Sequence, residues 1–224
     1  VLIGGLSGDV ITTGSRNIGV GLNTLGSNIL GSHSVAIGDA ALDAQNYATA
    51  TDAYNVAVGS SAGGAVTTGQ NNVLVGGQVG DALTTGTANV ALGKSALGGD
   101  TKGNKSIAIG LGTLQTQNFT TATDTFNVGV GHGVGASITT GVQNTLIGAE
   151  SGDAITDADF NVAVGYSALS TNQLGSRSTA VGNNALLTQN PATATDMYNV
   201  AVGHNAGREI TTGVSNTLIG GLAG

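Results

Sequence analysis

A five-residue pattern returns along this chain at fixed intervals, and those intervals leave little choice of fold. Asn55-Val56-Ala57-Val58-Gly59 recurs as Asn161-Val162-Ala163-Val164-Gly165 and as Asn199-Val200-Ala201-Val202-Gly203. Looser copies start at Asn17, Ser34, Asn72, Asn89, Ser106, Asn127, Asn144, Ser178 and Asn216, which makes twelve starts. The spacing runs 17, 21, 17 and 17 residues and then begins again, so a larger unit of 72 residues occurs about three times. Each copy is too short to bury an apolar face alone, and only stacking against its neighbours supplies a core.

Within each copy the second and fourth positions are mostly β-branched, as in Val56 and Val58 or Ile107 and Ile109, and the third is Ala, Gly or Leu. Alternation with β-branched residues predicts a short strand. The fifth position is Gly at every start, from Gly21 to Gly220, which predicts a corner with positive φ or a close backbone approach. A second Gly column follows ten residues later at Gly31, Gly69, Gly86, Gly103, Gly141, Gly175 and Gly213, broken by Ala158. Two corners per copy predict two short faces and a flattened coil.

Composition agrees. With 39 Gly but a single Pro, and no Gly at every third position, collagen is excluded. Hydrophobic residues make up 40% and charged residues 8%, the reverse of a disordered chain. No 3.6-residue period appears, and this density of Gly would cost a helix about 1 kcal/mol per Gly relative to Ala. The expected fold is therefore all-β: a parallel β-solenoid (β-roll) of about twelve 17/21-residue rungs, continuous over residues 1–224. The chain begins at Val1, without Met or a signal peptide, and is expected to be a fragment of a longer fibre or a processed chain.

Nine of the twelve starts are Asn and the rest Ser. Stacked Asn side chains can hydrogen-bond along a solenoid as a ladder, and Asn and Ser also suit turns by bonding nearby backbone. Both readings are structural.

Ser34-Val35-Ala36-Ile37-Gly38 and Ser106-Ile107-Ala108-Ile109-Gly110 resemble the head repeat of trimeric autotransporter adhesins. The longer run from Asn161 through Tyr166, Ser167, Ala168 and Leu169 to Gly175 is similar to a repeat of phage tail-fibre proteins. The resemblance covers the whole chain and implies left-handed parallel β-rolls, three chains side by side. The 17-residue rung, longer than the usual adhesin repeat, and the regular 21-residue rung depart from the adhesin pattern.

Taking the bulkier residues as core, Val56, Val58, Val73, Val75, Val90, Ile107, Ile109, Val162 and Val164 are expected to point inward. The small third positions (Gly19, Ala36, Ala57, Leu74, Ala91, Ala108, Gly129 and Leu146) then face away and are expected near the interface of a homotrimer.

The 21-residue rungs carry an added segment at Gln45–Asp52, repeated at 117–124 and 189–196. Insertions in solenoid repeats go to surface loops, often on a binding face. The stem is nearly constant and the tip varies as Tyr47, Phe119 and Pro191. The three loops are expected to form a ridge, with Asn46, Tyr47, Asp52, Asn118, Phe119, Asp124, Asn190 and Asp196 as binding residues; the alternative is a loop packed on its own wall or a neighbouring chain. An aromatic residue (Tyr54, Phe126, Tyr198) precedes the Asn after each loop, and one rung earlier stands His33, Lys105 or Arg177. A cation over a ring is the expected contact, structural in role.

No catalytic residue, metal site or cofactor is expected. Asp9, Asp81 and Asp153 recur only every fourth rung, roughly 19 Å apart on strand spacing, too far to share an ion. His132 and His204 are separated likewise. No nucleophile elbow, metal triad or phosphate loop appears, and Asp157 with Asp159 reads as a solvated turn. The net charge of -7 and the scatter of six Lys and Arg argue against nucleic acid. No apolar run has membrane-spanning length, so no membrane insertion by this segment is expected. Cys is absent, so the redox compartment is not legible.

The expected function is a structural segment of a fibrous attachment protein, a virion tail fibre or cell-surface adhesin, extracellular and not an enzyme. Its expected partners are further copies of itself and a host-surface glycan or protein receptor. An ice-binding or other surface-filament solenoid is the alternative, suggested by Thr67-Thr68, Thr84-Thr85, Thr139-Thr140 and Thr211-Thr212. Adjacent Thr residues face opposite ways, whereas a flat array needs Thr-x-Thr.

Overall fold

The computed structural model describes residues 1–224 and contains no helix: the chain is a parallel β-solenoid. It divides into two compact units, Val1–Ser106 with Asn118–Asp124, and Ile107–Gln117 with Thr125–Gly224. In the first unit the strands Leu2–Ile3, Ile18–Val20, Val35–Ile37, Val56–Val58, Val73–Val75 and Val90–Leu92 lie side by side in chain order. In the second, Ile107–Ile109 is followed by Val128–Val130, Thr145–Ile147, Val162–Val164, Thr179–Val181, Val200–Val202 and Thr217–Ile219. All pairings are parallel and keep motif positions aligned: Val56, Ala57 and Val58 stand beside Val73, Leu74 and Val75. The predicted strand at each start is therefore present.

The predicted inside and outside are reversed. Ala36, Ala57, Leu74, Ala91, Ala108, Leu146, Ala163, Ala180 and Ala201 are fully buried. The flanking β-branched residues expected inside all retain solvent exposure: Val56, Val58, Val90, Val162 and Val164 partly, Val73, Val75, Ile107 and Ile109 by more than a third. The physical reason is width. The opposite wall lies so close that the interior admits one inward side chain per three-residue strand, and the wall itself supplies the rest of that layer, including Leu83, Ile138 and Ile155. Leu25, Leu42, Leu97, Leu114, Leu169 and Leu186 project from that wall and are fully buried. Where the strand contributes Leu74, the wall has Gly63 and Gly80, whose added Cβ atoms would meet Leu74 methyl carbons at 2.7 and 3.0 Å. Large and small thus alternate across the core, keeping its volume filled.

The second face is mostly not a sheet. Only Gly31–Ser32 with Thr51–Asp52 and Gly103–Asn104 with Thr123–Asp124 in the first unit, and Gly175–Ser176 with Thr195–Asp196 in the second, form strand pairs there. The remainder is turns, in which non-Gly residues such as Leu42 (φ 50°), Ala88 (φ 58°) and Leu169 (φ 54°) sit in the left-handed region.

The two Gly columns have different causes. Gly165 has φ +137°, and a Cβ there would lie 2.5 Å from the Gly182 carbonyl oxygen of the next rung. Gly175 has no positive φ, but a Cβ would collide with the Asn172 side chain and stand 2.9 Å from Met197 Cγ. The first column is both conformational and steric, and the second is steric alone.

The starting Asn shares its side-chain direction with the third position and also points inward. The Asn55 amide nitrogen donates across the interior to the Gly69 carbonyl at 2.8 Å, and its oxygen accepts the Asn72 backbone N–H at 3.0 Å. Asn72, Asn144 and Asn161 repeat the pattern. Each Asn closes its own rung and registers the next. The ladder runs chiefly through backbone amides, with longer side-chain contacts such as Asn72 to Asn55 at 3.3 Å.

Candidate functional site

The 21-residue rungs are built around a substitution. Ser34 replaces the starting Asn and is too short to cross the interior, so Gln45 reaches in from the far wall. Its side-chain nitrogen donates to Ser34 Oγ at 3.1 Å, and its oxygen accepts from Asn55 Nδ2 at 2.9 Å. Ser178, Gln189 and Asn199 repeat the arrangement in the second unit. Gln117 bonds Asn127 in the same way.

The tips expected to meet a receptor are instead plugs. Tyr47 and Phe119 are each 6% exposed, and Pro191 is buried. The Tyr47 hydroxyl donates to the Gly69 carbonyl at 2.7 Å. Burial pushes its pKa up to about 12, partly offset by the Asn55 hydrogen bond. The wider rung leaves a space at its corner that these side chains fill, so their stacking surface is unavailable to a ligand. Asn46, Asn118 and Asn190 are exposed, as are Asp52, Asp124 and Asp196.

The insertion is also split. Counting back from the start of the next rung, Asp52 would align with Gly31. The strand pairing instead puts Thr51 beside Gly31 and Asp52 beside Ser32. One added residue, Ala53, is therefore taken up between Asp52 and Tyr54 and is fully buried, as are the corresponding Thr125 and Met197. Ala48, Thr49 and Ala50 remain as the outward loop.

The consequence is that each Asp stands beside the basic residue of the preceding rung. His33 Nδ1 lies 2.9 Å from Asp52 Oδ1, Lys105 Nζ 2.6 Å from Asp124 Oδ2, and Arg177 Nε 3.0 Å from Asp196 Oδ1. The Lys105 hydrogen bond holds the Asp124 carboxyl below its ordinary pKa, against a smaller opposing effect of desolvation. In the first unit the His33 ring stacks on Tyr54, with centroids 5.0 Å apart, and Arg16 Nη1 approaches His33 Nε2 at 3.0 Å. In the second unit Tyr198 donates its hydroxyl to Asp196 Oδ2 at 3.1 Å. Arg177 covers Phe160 at 4.5 Å, on the rung before, not the Tyr198 ring on the rung after as the pattern predicts. Tyr54 and Tyr198 keep about half of their surface in water, 52% and 55%.

Acid, cation and ring thus form an exposed cluster in each unit: Arg16, His33, Asp52 and Tyr54 in the first, Phe160, Arg177, Asp196 and Tyr198 in the second. Sequence reasoning found the Asp and, separately, the cation and ring, but did not join them. The joining signal was present: a basic residue nineteen positions before an Asp recurs at His33, Lys105 and Arg177. No group of three or more His, Cys, Asp or Glu side chains is arranged to hold a metal ion. Asp157 accepts from Thr139 and Thr140 at 2.8 and 2.7 Å, and Asp159 from the Val142 N–H at 2.7 Å, so both brace neighbouring rungs.

The other distinctive surface is the outward side of the strand wall. It carries Ile18, Ile37, Val73 and Val75 in the first unit and Ile107, Ile109, Ile147 and Val202 in the second, each more than a third exposed. No charged residue occupies a strand position on this wall, and its only polar outward residues are Thr145, Thr179 and Thr217 of the second unit. Comparison with known protein families, with characterised proteins and with solved structures returns no match.

Proposed function

We propose that this chain is a structural, non-enzymatic segment of an extracellular attachment fibre, on a virion or a cell surface, and that it associates with further copies of itself as a homotrimer. The observation that carries the reading is the uncharged, mostly apolar β-branched row on the outside of the strand wall. A row of this kind exposed to water is unfavourable by about 25 cal/mol per Å² of apolar surface. It is also periodic, one pair of side chains per rung. A partner with the same rung spacing covers it at every level, and a second copy of this chain has that spacing by construction. The reversal of inside and outside moves the proposed interface from the small third positions to the second and fourth.

The ice-binding alternative gains no support. Thr67 and Thr84 donate their hydroxyls to the carbonyls of Thr84 and Thr101 on the following rung, at 3.2 and 2.9 Å, and Thr139 does likewise to Thr156 at 3.4 Å.

Attachment is tested by incubating the fluorescently labelled, associated protein with panels of bacterial and animal cells. Saturable binding to the surface of at least one cell type is expected. Association with no surface binding on any panel contradicts the attachment role while leaving the self-association intact.

A further inference from the structure

We infer that the cluster formed by Phe160, Arg177, Asp196 and Tyr198 is a binding site for a neutral saccharide. The inference rests on the attachment reading and names the chemistry of one contact it would make. A saccharide has an apolar C–H face and a rim of hydroxyl groups, and it is bound where an aromatic ring lies beside groups that both accept and donate hydrogen bonds. Three consecutive rungs supply these parts at strand spacing, roughly 4.8 Å apart. Tyr198 is 55% exposed and Phe160 38% exposed.

The polar groups are oriented in advance. Arg177 holds Asp196 Oδ1 at 3.0 Å and Tyr198 holds Oδ2 at 3.1 Å. An ionised carboxylate has about four acceptor sites; two are used here, and the side chain remains 48% exposed. The rest face solvent, suited to accepting from two adjacent hydroxyls. Arg177 uses Nε for Asp196 and holds its guanidinium carbon over the Phe160 ring, 4.5 Å from the centroid. Its terminal amino groups can donate to a sugar oxygen. Fixing these side chains before binding lowers the ordering cost that weakens most exposed contacts.

Charge selects the neutral class. Arg177 and Asp196 cancel, so the cluster offers no net attraction to a carboxylated or sulfated sugar, and the chain's net charge of -7 repels one. Loop position agrees: the outward residues Ala192, Thr193 and Ala194 precede the cluster and are small, leaving the ring accessible. The first unit carries a related cluster in which His33 covers one face of Tyr54, so the second unit is the stronger site.

The test uses the whole chain on an array of immobilised neutral oligosaccharides, the oligomers of glucose, galactose, mannose and N-acetylglucosamine, with sialylated and sulfated glycans alongside. Wild type is expected to bind at least one neutral series. Tyr198→Ala and Asp196→Asn are each expected to weaken that binding about ten-fold or more, with Tyr198→Phe intermediate and all three melting at the wild-type temperature. The inference is overturned by wild type that binds no neutral oligosaccharide, by binding confined to acidic glycans, or by variants that bind like wild type. Cell-surface binding that persists in Tyr198→Ala would remove this inference and keep the attachment role; no cell-surface binding by wild type would remove the attachment role itself.

Discussion

The side-chain amide of Asn72 crosses the interior of its own rung to the carbonyl of Gly86, 2.9 Å away, while its oxygen receives the backbone N–H of Asn89 at 3.0 Å. One buried side chain thus satisfies a corner carbonyl and a strand amide that have no water to turn to. Asn72→Ala leaves both without it and is expected to cost about 3 kcal/mol, since each orphaned buried group costs about 1–3 kcal/mol. Asn72→Ser should cost nearly as much although Ser opens other rungs, because those rungs carry a Gln on the far wall and this one carries Leu83. Chemical denaturation of the two variants measures both, and a Ser variant as stable as wild type would refute the pairing of Ser with Gln.

Neighbouring residues on one strand should respond oppositely to charge. Ala163 is fully buried and Val164 faces outward. Ala163→Asp is expected to destabilise by about 4 kcal/mol or more, because an ionised group enters a core with no partner. Val164→Asp should leave the secondary structure and unfolding of the single chain nearly unchanged and act on association. Circular dichroism and thermal melts of the pair at low protein concentration decide the orientation. Equal damage from both would contradict it.

Tyr47 gives the chain an alkaline signature. Its folded pKa of about 12 exceeds the ordinary tyrosine value of 10.0. Its contribution is fully present below pH 10 and is lost as the pH rises toward 12, because the unfolded chain releases the proton first. Tyr47→Phe should be less stable than wild type at neutral pH by about 1 kcal/mol, the value of one hydrogen bond. The gap should narrow between pH 10 and 12, followed by urea titration at each pH.

Asp153 shifts in the same sense, at the acid end of the range. Desolvation raises its pKa, more than the Ser170 hydrogen bond lowers it, and Oδ1 is buried without a hydrogen-bond partner. Its ionised form is therefore disfavoured by folding at neutral pH, and stability is gained as the pH falls through the raised value toward 3.8. Asp153→Asn is expected to raise the melting temperature by a few degrees at pH 7, with the advantage fading in acid.

The period, the parallel stacking and the glycine corners were legible because translation along a repeat leaves its mark on every copy. The side of the wall that faces the core was not. Alternation places Val56 and Val58 on one side and Ala57 on the other, but it does not say which side is wet, and bulk is a poor guide in an interior this thin. Parity would have answered: the starting Asn lies two residues before the third position, so an Asn that bonds inside the coil carries Ala57 inward with it. The exchange of Asn for Ser was similarly open to reading, since Ser34, Ser106 and Ser178 each have Gln eleven residues on. The burial of Tyr47 and Phe119 was not legible, because it depends on the space that opens at the corner of a widened rung.

If copies of this chain cover the outward β-branched row, sedimentation equilibrium at micromolar concentration will find them associated. Wild type is expected at the mass of three chains. A variant carrying both Val58→Asp and Val164→Asp should fall to the mass of one while keeping its β-sheet spectrum. Wild type sedimenting as a single chain, or the charged variant retaining the three-chain mass, would mean that the outward row is not the interface.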